Sequence, residues 1–340
     1  MQKKGIWLIQ LGSPRSPKRG DVAAYLREFL SDPRMIQLPS PLRWGLVNCI
    51  IAPFRSKKSA AAYSSIWGKN GSPLVTHSED LAVAIQKRLP SDIWVELSMR
   101  YGSPSIEQGW QRIKERGVTD LKILPLFPQY SFSTSASVFD AISNIWKSEP
   151  VLPNHQFFSF FYQHEAFIEA FAQVGENFDF DAYDHILMSY HGLPESYVKQ
   201  TGKECLLNER CCDRIDERNA FCYRAQCFDS SRRLMERLKI PKNKVTVCFQ
   251  SRLSGPPWIR PFTDHVVLDL AKQSCKRLLV FCPSFVADCL ETIEEIGIRA
   301  REDFVEAGGE ELTLVPSLNA HPAWVEACLQ ILKEKPLESP

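Results

Sequence analysis

Short apolar runs rich in β-branched residues alternate with amphipathic stretches of helical length along this 340-residue chain. That alternation is the signature of βαβ units and parallel sheets, so the fold class is α/β. Strands are predicted over 5–10, 93–99 and 121–125 in the first half and over 185–190, 244–249 and 277–281 in the second. Helices are predicted over 21–30, 78–88, 105–116, 229–238, 263–273 and 285–297. Periodicity fails between 150 and 164, where prolines meet the aromatic run FFSFFY. The boundary between two halves is placed there. The expected division is an N-terminal domain over 1–160, a C-terminal domain over 161–320, and a terminal helix and tail over 321–340.

Composition removes several function classes. With 44% hydrophobic and 11% aromatic residues the chain buries enough apolar surface to offset its conformational entropy, so it is not disordered. Lys plus Arg number 41 against 40 Asp plus Glu, a net charge of +1 that supplies no field for nucleic acid. The most apolar early stretch, 44–54, holds 11 residues interrupted by Asn48, short of the ~20 that span a bilayer. The start, MQKKGIWLIQLGSP, reads as a first strand rather than a targeting segment, and a cytoplasmic location is expected.

In open parallel sheets, ligands bind beyond the carboxyl ends of the strands. His191 sits there, between the apolar run HILMSY and Gly192-Leu193-Pro194, where an imidazole can take a proton or meet a metal. Alone it is more readily a structural or surface histidine. The run FVADCLETIEEIG carries Asp288, Glu291, Glu294 and Glu295, with Glu291 and Glu295 four residues apart on one helix face. Asp288 has a plain reading as a first-turn acid; Glu291, framed by Val286, Leu290 and Ile293, fits a solvated face less naturally. Arg100 and Tyr101 follow a strand in SMRYGSPS and suit a ligand carboxylate and a flat ring. Tyr130 precedes a run of hydroxyls, FSTSAS, that N-capping partly explains. Trp258 lies in QSRLSGPPWIRPFTD as either a stacking platform or a core aromatic.

Taken in order, LGSPRSPKRGDVAAYLREFLSDPRMIQLP, IWGKNGSPL, MRYGSPS, LPLFPQYSFST, SYHGLPESY, FQSRLSGPPW and CPSFVADCLETIEEIG resemble the ferrochelatase family across nearly the whole chain. The resemblance implies two Rossmann-like domains with parallel sheets and a porphyrin cleft between them. It also implies insertion of ferrous iron into protoporphyrin IX to give protohaem, the terminal step of haem synthesis. By the same resemblance His191 is the principal proton acceptor and metal-handling residue, Glu291 is its acidic partner, and Glu295 continues the metal-binding line. Leu11, Tyr101 and Trp258 take wall positions, Arg100 and Ser72 are partners for a propionate, and Tyr130 joins the substrate-binding set. Two positions depart from the pattern. Arg299 occupies the next turn of the acidic line, and Cys289 stands where some members have histidine. Coproporphyrin as substrate, another tetrapyrrole metal chelatase of the cobalt or nickel kind, and a non-catalytic haem or iron sensor are the alternatives. The stretch 38–58, apolar and flanked by Arg55, Lys57 and Lys58, matches the family's lip. It is either a lid or a weak peripheral membrane contact.

Five of the 11 cysteines, Cys205, Cys211, Cys212, Cys222 and Cys227, fall within 23 residues, where even scattering would place about 0.7. A thiol-only set spaced C-x5-C-C-x9-C-x4-C suits zinc or an iron–sulfur cluster. The family resemblance favours a two-iron two-sulfur cluster in an insertion over 203–227. The preferred ligands are Cys205, Cys212, Cys222 and Cys227, with Cys211 as the alternative. The other six cysteines are read as buried thiols.

Overall fold

In the computed structural model, which describes residues 3–201, 205, 210–252 and 256–334, the chain divides into two compact units. Part of the cysteine-rich stretch (202–204 and 206–209) and part of the QSRLSGPPW motif (253–255) lie outside the described residues, as does the end of the tail from 335.

The first unit takes residues 1–126 and 132–159. It runs β1 (Lys4–Gly12), α1 (Arg19–Ser31), α2 (Ser40–Gly45), α3 (Ala52–Ile66), α4 (Pro73–Arg88), β2 (Ile93–Tyr101), α5 (Ile106–Arg116), β3 (Asp120–Pro125), α6 (Ser135–Trp146) and β4 (Asn154–Phe157). All neighbours in its sheet, ordered β2-β1-β3-β4, are parallel. β1 is central because Ile6 to Ile9 bury both faces of the strand, which suits a sheet covered by helices on two sides. Gly12 ends it at φ +104°, and a Cβ there would lie 1.7 Å from the Tyr101 carbonyl oxygen, so only glycine fits. α5 opens with a reciprocal Ser105/Gln108 capping box and closes on Gly117 in the left-handed region. The stretch 38–58 folds as α2, a π-helical turn over Leu46–Ile51 and the start of α3.

The second unit takes residues 127–131 and 160–340. It contains α7 (Glu165–Gly175), β5 (His185–His191), α8 (Glu195–Lys199), α9 (Tyr223–Leu238), β6 (Val245–Gln250), α10 (Thr263–Lys272), β7 (Arg277–Phe281), a π-helix (Leu290–Ala300), α11 (Arg301–Glu306), β8 (Glu311–Leu314) and α12 (Pro322–Lys333). Its parallel sheet is ordered β6-β5-β7-β8. One core lies between Leu187, Leu278 and Val280 of the sheet and Val267, Ile296 and Phe304 of the covering helices. α12 packs on α7.

The helix expected over 285–297 starts five residues later and is wound as a π-helix. The reason is Asp288. Its carboxylate accepts from Asn319 Nδ2 (2.8 Å), Thr292 Oγ1 (3.0 Å) and the Ser317 amide (3.2 Å), which closes a turn where a helix would otherwise begin. Asp288 therefore shapes the entry to the helix.

Candidate functional site

His191 and Gln250 are register partners at the carboxyl ends of β5 and β6. His191 is fixed on three sides. Its amide donates to Ser284 Oγ (3.3 Å), its carbonyl accepts from the Tyr223 hydroxyl (2.9 Å), and its ring Nδ1 lies 2.6 Å from the Gly192 carbonyl oxygen. A carbonyl oxygen only accepts, so Nδ1 carries the proton and the lone pair of the neutral ring resides on Nε2. The ring is half-buried beside Phe285.

Gln250 is buried and joins the histidine strand to the π-helix. Its carbonyl oxygen accepts from the Gly192 amide (2.7 Å), its side-chain Oε1 from Ser189 Oγ (2.7 Å), and its Nε2 donates to the Glu291 carbonyl (2.6 Å). Close approach at this junction explains Gly192, whose Cβ would meet the Gln250 carbonyl oxygen at 2.8 Å and the Trp258 ring at 3.3 Å. Glu291 thus hangs its backbone on the same residue that holds the turn after His191. Its carboxylate is half-buried and is hydrogen-bonded by the Cys289 thiol; burial pushes that thiol well up, and the neighbouring carboxylate raises it further.

Glu295 is differently employed. Its Oε1 accepts from the Ser251 amide (2.8 Å) and its Oε2 from Ser251 Oγ (2.5 Å), bracing a residue at φ +65°. Burial raises its carboxyl above the usual range despite those bonds and the nearby Arg299. Each oxygen thereby holds one bond from the loop after β6. Arg299 itself pairs with Glu294 (2.6 Å). Trp258 is only 8% exposed, bridges backbone to Pro194, and its Nε1–H has no partner among the described residues. Tyr130 packs edge-on to Phe221 (5.6 Å), and its amide donates to Gln226 Oε1 (2.7 Å), next to the cysteine-rich segment.

In the first unit, Arg100 and Tyr101 converge on Asp32, the residue that ends α1. The Asp32 carboxylate accepts from Arg100 Nη2 (2.6 Å), Tyr101 hydroxyl (2.7 Å), Ser137 Oγ (2.6 Å) and the Arg34 amide (2.8 Å). Burial alone would raise this carboxyl; the bonds from Ser137, the Arg34 amide and Tyr101, with the Arg100 charge, hold it below the usual range. Arg100 also donates to Ser137 and lies over the Tyr101 ring. Tyr101 is 1% exposed, so its ring is a packed element of this unit and offers no wall to a flat ligand. Of the hydroxyls after Tyr130, for which N-capping is only a partial account, Thr134 makes no side-chain cap bond at the start of α6 and Ser137 serves Asp32. Ser72 is buried at the start of α4, and Leu11 is half-buried at the end of β1.

The clustered cysteines lie together. Cys205 Sγ is 3.5 Å from Cys222 Sγ, Cys222 and Cys212 share a hydrogen bond, and Cys211 Sγ is 3.7 Å from Cys212 Sγ. The contact with Cys205, opposed by that with Cys212 and aided by burial, pushes the Cys222 thiol up to about 12. Cys227 is wholly enclosed, burial raising its thiol well above the ordinary value, with Cys222 and Cys212 close enough to add to it. Arg224 Nη1 donates to Cys212 Sγ (3.0 Å). Among the described residues no group of three or more His, Cys, Asp or Glu side chains is placed to hold a metal ion. Thiols without histidine are the donor type of zinc and iron–sulfur centres.

The fold is similar to that of solved chelatase structures. The sirohydrochlorin chelatase SirB of Bacillus subtilis subspecies spizizenii, in complex with cobalt, superposes with a TM-score of 0.55 at 12% identity, covering 98% of this chain and 95% of that one. The particular family follows from sequence. The ferrochelatase family profile matches residues 3–336. A ferrochelatase of Legionella pneumophila (strain Lens) is 42% identical over 333 residues, 98% of this chain and 99% of that protein. A ferrochelatase of Coxiella burnetii (strain Dugway 5J108-111) is 43% identical over 337 residues, 98% and 94% of the two chains. The chain belongs to the ferrochelatase family.

Gln250, Ser251, Asp32, Tyr223 and Ser284 were missed from sequence. The signal for Gln250 was available: it is a polar residue closing the apolar run VTVCF at the end of a strand next to the one that ends in His191.

Proposed function

We propose that this chain carries out its family's reaction, insertion of ferrous iron into a porphyrin, with protoporphyrin as substrate and His191 as proton acceptor. Iron replaces the two pyrrole hydrogens, which leave as protons, so the chemistry requires a base beside the metal. The observation that carries the assignment is the His191 Nδ1 bond to the Gly192 carbonyl, which leaves Nε2 as the basic atom. Glu291, anchored through Gln250, is its acidic partner and handles the incoming metal. Glu295 braces Ser251 and is removed from the metal line. Trp258 and Leu11 are retained as substrate walls and Ser72 as an anion partner, while Arg100 and Tyr101 belong to the frame around Asp32.

The test is anaerobic turnover by purified protein with protoporphyrin and, separately, coproporphyrin. Faster turnover with coproporphyrin reverses the substrate choice. His191→Ala is expected to abolish insertion while porphyrin binding persists; lost binding with retained turnover in saturating porphyrin overturns the role given to His191.

Cys205, Cys212, Cys222 and Cys227 are proposed to hold a two-iron two-sulfur cluster, which when bound supplies a one-electron couple and a cross-link through its segment. Iron and acid-labile sulfide in the purified protein support it, and stoichiometric zinc replaces it with the zinc reading. No helix among the described residues is long and apolar enough to cross a membrane. Leu42, Trp44, Ile50 and Phe54 are exposed on the 38–58 stretch beside Lys57 and Lys58, which supports weak peripheral contact with a membrane, at its cytoplasmic face. Sedimentation with anionic vesicles tests it.

A further inference from the structure

The loop between β8 and α12 reaches back to the start of the π-helix through Asn319, 31 residues on from Asp288. Its backbone sits in the left-handed region at φ +50°, a conformation that asparagine adopts more readily than most residues. From there it grips the segment before Glu291 three times. Its amide donates to the Val286 carbonyl (2.8 Å), its Oδ1 accepts from the Asp288 amide (2.8 Å), and its Nδ2 donates to Asp288 Oδ2 (2.8 Å). A side-chain amide offers one acceptor and one donor group side by side, and Asp288 presents the complement from its backbone and its carboxylate.

The other Asp288 oxygen carries the connection onward. Oδ1 accepts from Thr292 Oγ1 (3.0 Å), and Thr292 Oγ1 accepts in turn from the Cys289 amide (3.0 Å). Glu291 lies inside that closed turn, and its own carbonyl takes the bond from Gln250. Asp288 and Thr292 are both buried, so these bonds form where water does not compete for them. Gln250 therefore holds the Glu291 carbonyl from the strand beside His191, while Asn319 holds the entry to the same turn from the loop after β8. The direction in which the Glu291 carboxylate leaves the chain depends on both.

On the reading of Glu291 as the carboxylate that handles iron, we propose that Asn319 is a positioning residue for the insertion reaction, setting through Asp288 the turn from which Glu291 meets the metal. The role requires no contact with iron or porphyrin. It requires one amide and one carboxylate facing each other, and either residue can carry either group.

The experiment exchanges the two side chains in the full-length protein. Asn319→Asp sets carboxylate against carboxylate, and Asp288→Asn sets amide donor against amide donor, so each single change breaks the pair. The double variant restores it with the groups reversed, and the carbonyl oxygen left in Asp288→Asn still accepts from Thr292 and the Ser317 amide. Asn319→Gly is added because it keeps the left-handed backbone and removes only the side chain. Measured are kcat and KM for ferrous iron at saturating porphyrin, porphyrin Kd by fluorescence, and Tm. The single variants should lose about tenfold in kcat/KM for iron, the scale of a lost outer partner, with porphyrin Kd unchanged. The double variant should recover most of that loss. If a charge-facing single variant does not fold, Asn319→Gly and the double variant carry the comparison. Single variants as efficient as wild type overturn the proposal, and so does a double variant that regains Tm without kcat/KM, which makes the charge of Asp288 itself the active element. Glu291→Gln tests the reading beneath: undiminished use of iron there overturns the role of Glu291 whatever the Asn319 variants do.

Discussion

Each sheet has a polar hub at the carboxyl end of the strand on its edge beside the central one, Asp32 under the end of β2 and Gln250 closing β6. The Asp32 hub is built around a full charge. Four donors converge on one carboxylate; Arg100 is absorbed in balancing its charge and Tyr101 in hydrogen-bonding it. The Gln250 hub is neutral and grips mostly backbone: the Gly192 amide, the Glu291 carbonyl and a serine hydroxyl. Holding main chain, it leaves the His191 ring and the Glu291 carboxylate half-exposed for chemistry. A charged hub uses up its neighbours in holding structure, whereas a neutral one frees them.

The sharpest way to break this contrast is Asp32→Ala. It strands the Arg100 guanidinium in a largely buried place and should remove about 3 kcal/mol from stability in urea unfolding. A loss below ~1 kcal/mol would make the two hubs alike. Gln250→Leu should do the reverse. We expect kcat to fall about 10- to 100-fold, the scale of a removed supporting partner, with a stability cost of about 1 to 2 kcal/mol for the unpaired groups. Unchanged kcat with a large fall in Tm would reduce Gln250 to a structural residue.

Smaller is the acid response. Because the folded state holds Asp32 below its ordinary value of 3.8, its contribution is complete above that pH and fades as pH falls through the folded value. The Tm difference between wild type and Asp32→Asn should therefore be constant at neutral pH and narrow below about pH 4; a gap that widens on acidification contradicts the sign. Smallest of all is Arg299→Ala, which breaks a surface pair with Glu294 and should change stability by less than ~0.5 kcal/mol. A marked effect on insertion would return Arg299 to the acidic line.

The strands were legible because buried parallel strands are nearly continuous apolar runs, as in GIWLIQ and HILMSY. α3, α6 and α7 were not, since proline, serine-rich and aromatic stretches hide a helical period that tertiary packing imposes. β4 and β8 are four-residue edge strands, too short to carry a pattern. At the site, His191 and Glu291 could be read from their places after and within elements. The division of labour among Arg100, Tyr101 and Glu295 could not, because it depends on Asp32 and Ser251, partners 44 to 69 residues away.

Both sheets share one ground plan. Counted within its own unit, each runs second strand, first, third, fourth, all parallel, although no repeat is visible between the halves of the sequence. Identical wiring in two units of one chain is what duplication of an ancestral half-length gene would leave after its side chains diverged. Within that shared plan Leu11 and Arg100 lie one residue before the ends of β1 and β2, whereas His191 and Gln250 close β5 and β6, so the same pair of strands ends in an apolar and a cationic side chain in one unit and in an imidazole and an amide in the other.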